Sequence, residues 1–139
     1  MNKLLAQNAK QEKISILTKV ITKLIGSNLV QEENDYIFVT LIREKDNTSF
    51  LLKIIFPDNF PLEPANYIFV NPKTKVDDDS QFWPSDNQQA FKVAKQNPRW
   101  ICIAGTSEYK HHHNGAYDPT SHSLSSTVIN IYKQINGVN

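Results

Sequence analysis

The stretch that most limits what this chain can fold into is Phe56-Pro57-Asp58-Asn59-Phe60-Pro61-Leu62-Glu63-Pro64-Ala65-Asn66-Tyr67-Ile68-Phe69. Pro57, Pro61 and Pro64 offer no N–H to a sheet ladder, and each fixes its own φ at about −65°. The residues before them are pushed towards extended backbone. Neither a helix nor an interior strand runs through such a segment. It reads as a stiff link between the end of one strand and the start of the next.

The residues on either side define what is being linked. From Asn2 to Ile25 the pattern is helical: Ile14, Leu17, Ile21 and Leu24 form one face, widened by Val20 and Ile25, with lysines opposite. Gly26-Ser27 stops it, and the weaker periodicity of Leu4, Leu5 and Ala9 marks the first turns as prone to fray. Strands are expected at Tyr36–Arg43, with Val30 in a short strand before it, at Phe50–Phe56 and at Tyr67–Val70. Lys45-Asp46-Asn47-Thr48 has the polar chemistry of a hairpin turn. Residues 72–99 make a long polar excursion containing Asp77-Asp78-Asp79, Phe82-Trp83-Pro84 and a helical turn around Gln88–Lys95. Leu124 to about Gln134 forms a last helix with Leu124, Val128, Ile131 and Ile135 on one face and Ser121 or Ser123 as its cap. At 139 residues these elements make one domain, 1–139, of α+β class.

Both the proline phrase and the order helix, meander, phrase resemble the ubiquitin-conjugating (UBC-like, E2-like) family, whose signature reads Phe-Pro-x-x-Tyr-Pro-x-x-Pro-Pro-x-x-x-Phe. Phe60 stands in the Tyr place and Ala65 in that of the second paired proline. The resemblance implies an N-terminal helix on a four-stranded antiparallel meander, closed by a C-terminal helix. It also implies a cysteine downstream of the phrase in a short apolar segment, and Ile101-Cys102-Ile103 stands there. In the family such a cysteine takes the C-terminal carbonyl of a ubiquitin-like protein as a thioester and passes it to an amine on a protein target. An E1-like activating enzyme is then a partner, docking on the first helix, where Lys13, Lys19 and Lys23 are candidate contacts.

Departures from the pattern keep another class of function open. No His-Pro-Asn tripeptide precedes Cys102, and Trp83-Pro84-Ser85 lies too far upstream to replace it. The loop before the cysteine is long, and one helix closes the chain, which looks most like divergent bacterial E2-like domains with histidines after the cysteine. Related RWD domains and inactive variants keep the fold and act as non-catalytic protein-binding modules. Cys102 between two isoleucines also suits a space-filling thiol, although alternation sends Ile101 and Ile103 to one face and Cys102 to the other.

The run His111-His112-His113 admits three readings: a solvated loop, a source of an imidazole for Cys102 with His113 taken as that catalytic partner, or metal ligands His111, His113 and His122. His111-x-His113, seven residues, then Ser121 also resembles a zinc isopeptidase motif, a weaker hydrolase alternative. Its carboxylate position is occupied by Leu124, which removes a required ligand. Glu108, Tyr117 and Asp118 lie near the same loop and read either as ordinary loop residues or as candidates to orient a histidine or an incoming lysine.

No cofactor is implied. A net charge of +1 gives no case for nucleic acid, and no apolar run reaches the ~20 residues of a membrane span. The N-terminus lacks the apolar run of a secretory signal, and a lone cysteine suits a reducing compartment, so the expected location is the cytoplasm.

Overall fold

Strand order and register follow from two tight connections and the proline link. In the computed structural model, which describes residues 3–77, 82–84, 89–91 and 99–137, helix α1 (Lys3–Ile25) leads into β1 (Val30–Glu32), β2 (Tyr36–Ile42), β3 (Ser49–Ile55) and β4 (Asn66–Val70). The sheet is an antiparallel meander in the order β1-β2-β3-β4. Helices α2 (Ser107–His112) and α3 (Leu124–Ile135) follow. The α+β architecture expected from the sequence is thus the observed one, with α3 packed on α1.

The β2–β3 hairpin is closed by Arg43, whose guanidinium grips the Asp46 carboxylate at 2.7 Å, and by Asn47 in the left-handed region at φ 58°. That turn sets the register Tyr36↔Ile55 through Ile42↔Ser49, and β4 continues it with Leu52↔Phe69 and Ile54↔Tyr67. Period-two alternation then puts Ile37, Val39, Leu41, Phe50, Leu52, Ile54, Tyr67 and Phe69 on one face, and all are buried. Phe69 gathers an aromatic cluster edge-on, with ring centroids 5.9 Å from Phe50, 5.1 Å from Trp83 and 5.5 Å from Phe91. Buried Arg99 lies over the Trp83 ring at 4.1 Å and donates to the Phe91 carbonyl.

Helix α1 runs unbroken from Lys3, and its buried residues are Ala6, Ile14, Leu17 and Ile21. Leu24, expected on this face, is 45% exposed, and Ile25 packs against the core in its place. In α3 the buried residues include Leu124, Val128, Ile131 and Ile135, and Ser123 caps it by accepting the Ser126 N–H at 3.2 Å.

The proline phrase forms the expected link. Leu62 N–H closes onto Asn59 O at 2.9 Å around a cis Phe60–Pro61 bond, and Phe60 packs edge-on to Phe56 at 4.8 Å. Of the aspartate run, Asp77 accepts from the Trp83 indole at 3.4 Å, while Asp78 and Asp79 lie outside the described residues. The turn expected around Gln88–Lys95 shows a 3-10 helix at Gln89–Phe91, and residues 92–95 are outside the described set. No helix of the described residues is long and apolar enough to cross a membrane.

Candidate functional site around Cys102

The cysteine segment is stitched onto the sheet and the proline phrase. Ile101 N–H donates to Tyr67 O on β4 at 2.8 Å, and Cys102 N–H donates to Ala90 O at 3.1 Å. Ile101 is fully buried and Ile103 packs against the core, while Cys102 between them is half-exposed. The alternation read from the sequence therefore holds, and the thiol is not sealed inside. Its pKa is raised, first by partial burial and then by the nearby Glu108 carboxylate, both of which disfavour a thiolate.

Just beyond the thiol the backbone makes a tight approach to α3. Gly105 sits at φ 105°, and a Cβ there would fall 2.2 Å from Thr127 Oγ1. Only glycine fits that conformation and that gap. Thr127 is buried and donates to Ser123 O at 2.9 Å. The Tyr67 phenol is pushed well above its ordinary pKa by burial, with Tyr117 adding to the shift and Thr127 opposing it.

Helix α2 follows, and it corrects the reading of the histidine run as loop: His111 and His112 are its last residues and His113 is its C-cap. Thr106 starts it. Its hydroxyl donates to Ile103 O at 2.9 Å and accepts the Tyr109 N–H at 3.1 Å. Glu108 in the first turn, with Lys110, His111 and His112 in the last, suits the helix dipole. Three contacts anchor this region to the proline phrase. Ser107 N–H donates to Ala65 O at 2.8 Å, Lys110 pairs with Glu63, and Tyr117 OH donates to Pro61 O at 2.6 Å. The Tyr117 phenol is pushed up to about 12 by burial, then by Glu63 and Asp118.

The four histidines take different places. His112 Nε2 lies 3.1 Å from Glu108 Oε1, and the Glu108 side chain is only 12% exposed against 39% for His112. His113, the imidazole expected to serve Cys102, instead stacks on Tyr109 with ring centroids 3.9 Å apart. His111 is exposed. His122 Nδ1 accepts the Asp118 N–H at 3.1 Å, in a turn where Asp118 accepts from Ser121 Oγ at 2.9 Å and Thr120 N–H at 3.0 Å. Those donors hold the Asp118 carboxyl below its usual pKa. Among the described residues no three His, Cys, Asp or Glu side chains group closely enough to hold a metal ion, so His111, His113 and His122 do not form a ligand set. Leu124, at the carboxylate position of the zinc motif, is buried in the core.

The Glu108 carboxylate, paired with His112, is the charged group whose field bears on the Cys102 thiol. The Glu108/His112 spacing of four was a legible signal once 107–112 was recognised as helix. Elsewhere, a cleft of about 440 Å³ lies between α1 and the proline phrase, where Lys3 and Lys10 face Asp35 and Asp58, and Cys102 is not among its lining residues. In comparisons with protein-family models, with curated proteins and with solved structures, nothing matches the chain.

Proposed function

We propose that this chain is an E2-like carrier in the cytoplasm: Cys102 holds a ubiquitin-like protein as a thioester, receives it from an E1-like enzyme, and transfers it to an amine on a protein target. The observation that carries this reading is the docking of the cysteine segment onto the proline phrase. The two parts of the sequence resemblance, far apart in the chain, meet where Ile101 N–H donates to Tyr67 O, and the residues that follow add Ser107–Ala65, Lys110–Glu63 and Tyr117–Pro61. The thiol is half-exposed, as a residue that takes up an acyl group must be. In loading, the Cys102 sulfur attacks the incoming thioester carbonyl, the old C–S bond breaks, and the departing thiol takes the proton that Cys102 gives up.

The experiment is transthiolation from a short glycine-ended peptide thioester of mercaptoethanesulfonate, read by intact mass. A single adduct, removed by dithiothreitol and absent in Cys102→Ala, supports the carrier. No adduct on native protein refutes it.

A second reading, a non-catalytic UBC/RWD-like binding module, is favoured by one observation: the Cys102 thiol is raised rather than lowered in pKa, opposite to an activated nucleophile. Under that reading native Cys102 resists both the peptide thioester and bulky alkylating reagents.

A further inference from the structure

We propose that the groove on the outer face of the sheet, where Lys53 and Lys75 converge, binds a small carboxylate with an apolar body. The site stands apart from Cys102 and does not depend on the carrier reading.

Alternation along β3 and β4 sends Leu52, Ile54, Tyr67 and Phe69 into the core and turns Lys53, Ile55, Ile68 and Val70 to the opposite side. There a groove of about 200 Å³ has apolar walls from Ile55, Ile68, Val70 and Trp100, and Lys53 and Lys75 bring two ammonium groups to it. Its one acid among the described residues, Asp77, already accepts the Trp83 indole N–H at 3.4 Å.

Lys53 lies on an interior strand, with Phe38 and Ile68 as its cross-strand neighbours. It is half-buried, and its Nζ stands 4.5 Å over the Tyr36 ring. Among the described residues neither a carboxylate nor a carbonyl accepts from it. An ammonium so placed has given up part of its hydration without gaining an acceptor, and an anion supplies one.

Lys75 reaches the groove from the loop after β4. Its backbone lies in the left-handed region at φ 65°. The other non-glycine residues there, among those described, are Asn47 and Asn114, and asparagine tolerates that region better than lysine does. The loop holds it there: Asn71 N–H donates to Val76 O and Lys75 N–H to Asn71 O, both at 2.8 Å, while Asn71 Oδ1 accepts the Lys73 N–H at 2.8 Å. So held, the Lys75 ammonium stands 5.5 Å from the centroid of Phe38, the residue opposite Lys53. Phe38 and Tyr36 meet edge-on at 5.4 Å, so both cations gather about one aromatic pair. Lys75 donates one of its three N–H groups to Pro72 O at 2.8 Å, which leaves two.

The Trp100 indole N–H also has no acceptor among the described residues. The groove is thus rich in donors and poor in acceptors, which suits an anion. Aliphatic walls offer nothing to the outer oxygens of a phosphate, whereas a carboxylate needs donors at one end only. The space is smaller than the roughly 300–1,000 Å³ of sites for drug-sized ligands, so the apolar body is about the size of a phenyl ring or a branched chain.

The test is a two-dimensional NMR titration of the native chain with phenylacetate, phenylacetamide and inorganic phosphate. We expect phenylacetate to move the Trp100 indole signal and the amides of 53–55, 68–70 and 75–77, with a Kd of about 0.1–10 mM. Phenylacetamide and phosphate should bind about tenfold or more weakly. Lys53→Met and Lys75→Met keep the stems and remove the charges, and each should weaken phenylacetate about tenfold or more. Phenylacetamide binding as well as phenylacetate overturns the proposal, since the groove would then read the ring alone. Phosphate binding equally well overturns the apolar half of the assignment. Both comparisons use the native chain, so they stand whatever the variants' stability. Native affinity in K53M and K75M also overturns the proposal, leaving the two side chains as covers for an apolar sheet face. So does the absence of any shift at these residues well above that concentration range.

Discussion

Gly105→Ala is the substitution whose cost the structure specifies most fully. The new Cβ would lie 2.2 Å from Thr127 Oγ1 and 3.2 Å from Thr127 Cβ, far inside van der Waals contact. Thr127 has little freedom to retreat, because it is buried and bound to Ser123 O. Overpacking of this kind costs about 1–3 kcal/mol. A φ of 105° adds about 1–3 kcal/mol for any residue with a side chain. Together we expect a loss of about 2–6 kcal/mol, a large share of a typical domain's stability. Urea unfolding followed by tryptophan fluorescence measures it. The mechanism is separable by a cycle: Thr127→Ala removes the clashing oxygen, so G105A on that background should cost about 1–3 kcal/mol less than on the native one, with the backbone share and the milder approaches to the Cβ atoms of residue 127 and His122 remaining. Additive costs would refute the clash. A G105A protein within about 0.5 kcal/mol of native would refute the whole account of this turn.

Iodoacetamide alkylation of Cys102, followed against pH, should show an apparent thiol pKa above the ordinary value, and Glu108→Gln should shift that profile to lower pH; an unmoved profile removes Glu108 from the thiol's surroundings. Thr106→Ala loses the cap of α2 and a hydrogen bond to Ile103 O, and should cost about 1–2 kcal/mol by urea unfolding, with faster amide exchange confined to 107–112. Asp118 has a folded pKa below its unfolded value. Its contribution is therefore fully present above the unfolded carboxylate pKa and is lost as pH falls through the depressed folded one. Comparing the acid limb of the stability profile with that of Asp118→Asn checks the sign, and a profile in which the native chain gains relative stability on acidification contradicts it.

The scaffold was legible because its determinants are local. Alternation in 36–42 and 49–55, the polar turn between them and the prolines of 56–64 each dictate backbone geometry within a few residues. The misplaced core position in α1, Leu24, lies in its last turn, where Ile25 packs against the core instead. The site was less legible because its geometry depends on docking. Nothing around Cys102 announces that its N–H will reach Ala90 or that Thr106 will start a helix. The histidine run attracted attention by composition, yet the imidazole that finds a carboxylate is His112, at a spacing of four from Glu108. His113 was the natural choice only as long as the run was taken for a loop.

The direction of the Cys102 shift bears on what kind of carrier this chain can be. Raising the thiol pKa lowers the thiolate fraction at neutral pH and slows loading from a free thioester. It also makes the sulfur a poorer leaving group once acylated, so water and amine both attack more slowly. A slow thioester is useful to a carrier only if something distinguishes the amine from water, and the thiol pKa cannot, because it acts on the departing sulfur in both reactions. The distinction has to come from the attacking side. The ratio of aminolysis to hydrolysis of loaded Cys102 tests this: a carrier should show a higher ratio than the free thioester of the same peptide. A ratio no higher would leave the raised thiol pKa as a plain handicap, the condition that favours the binding module.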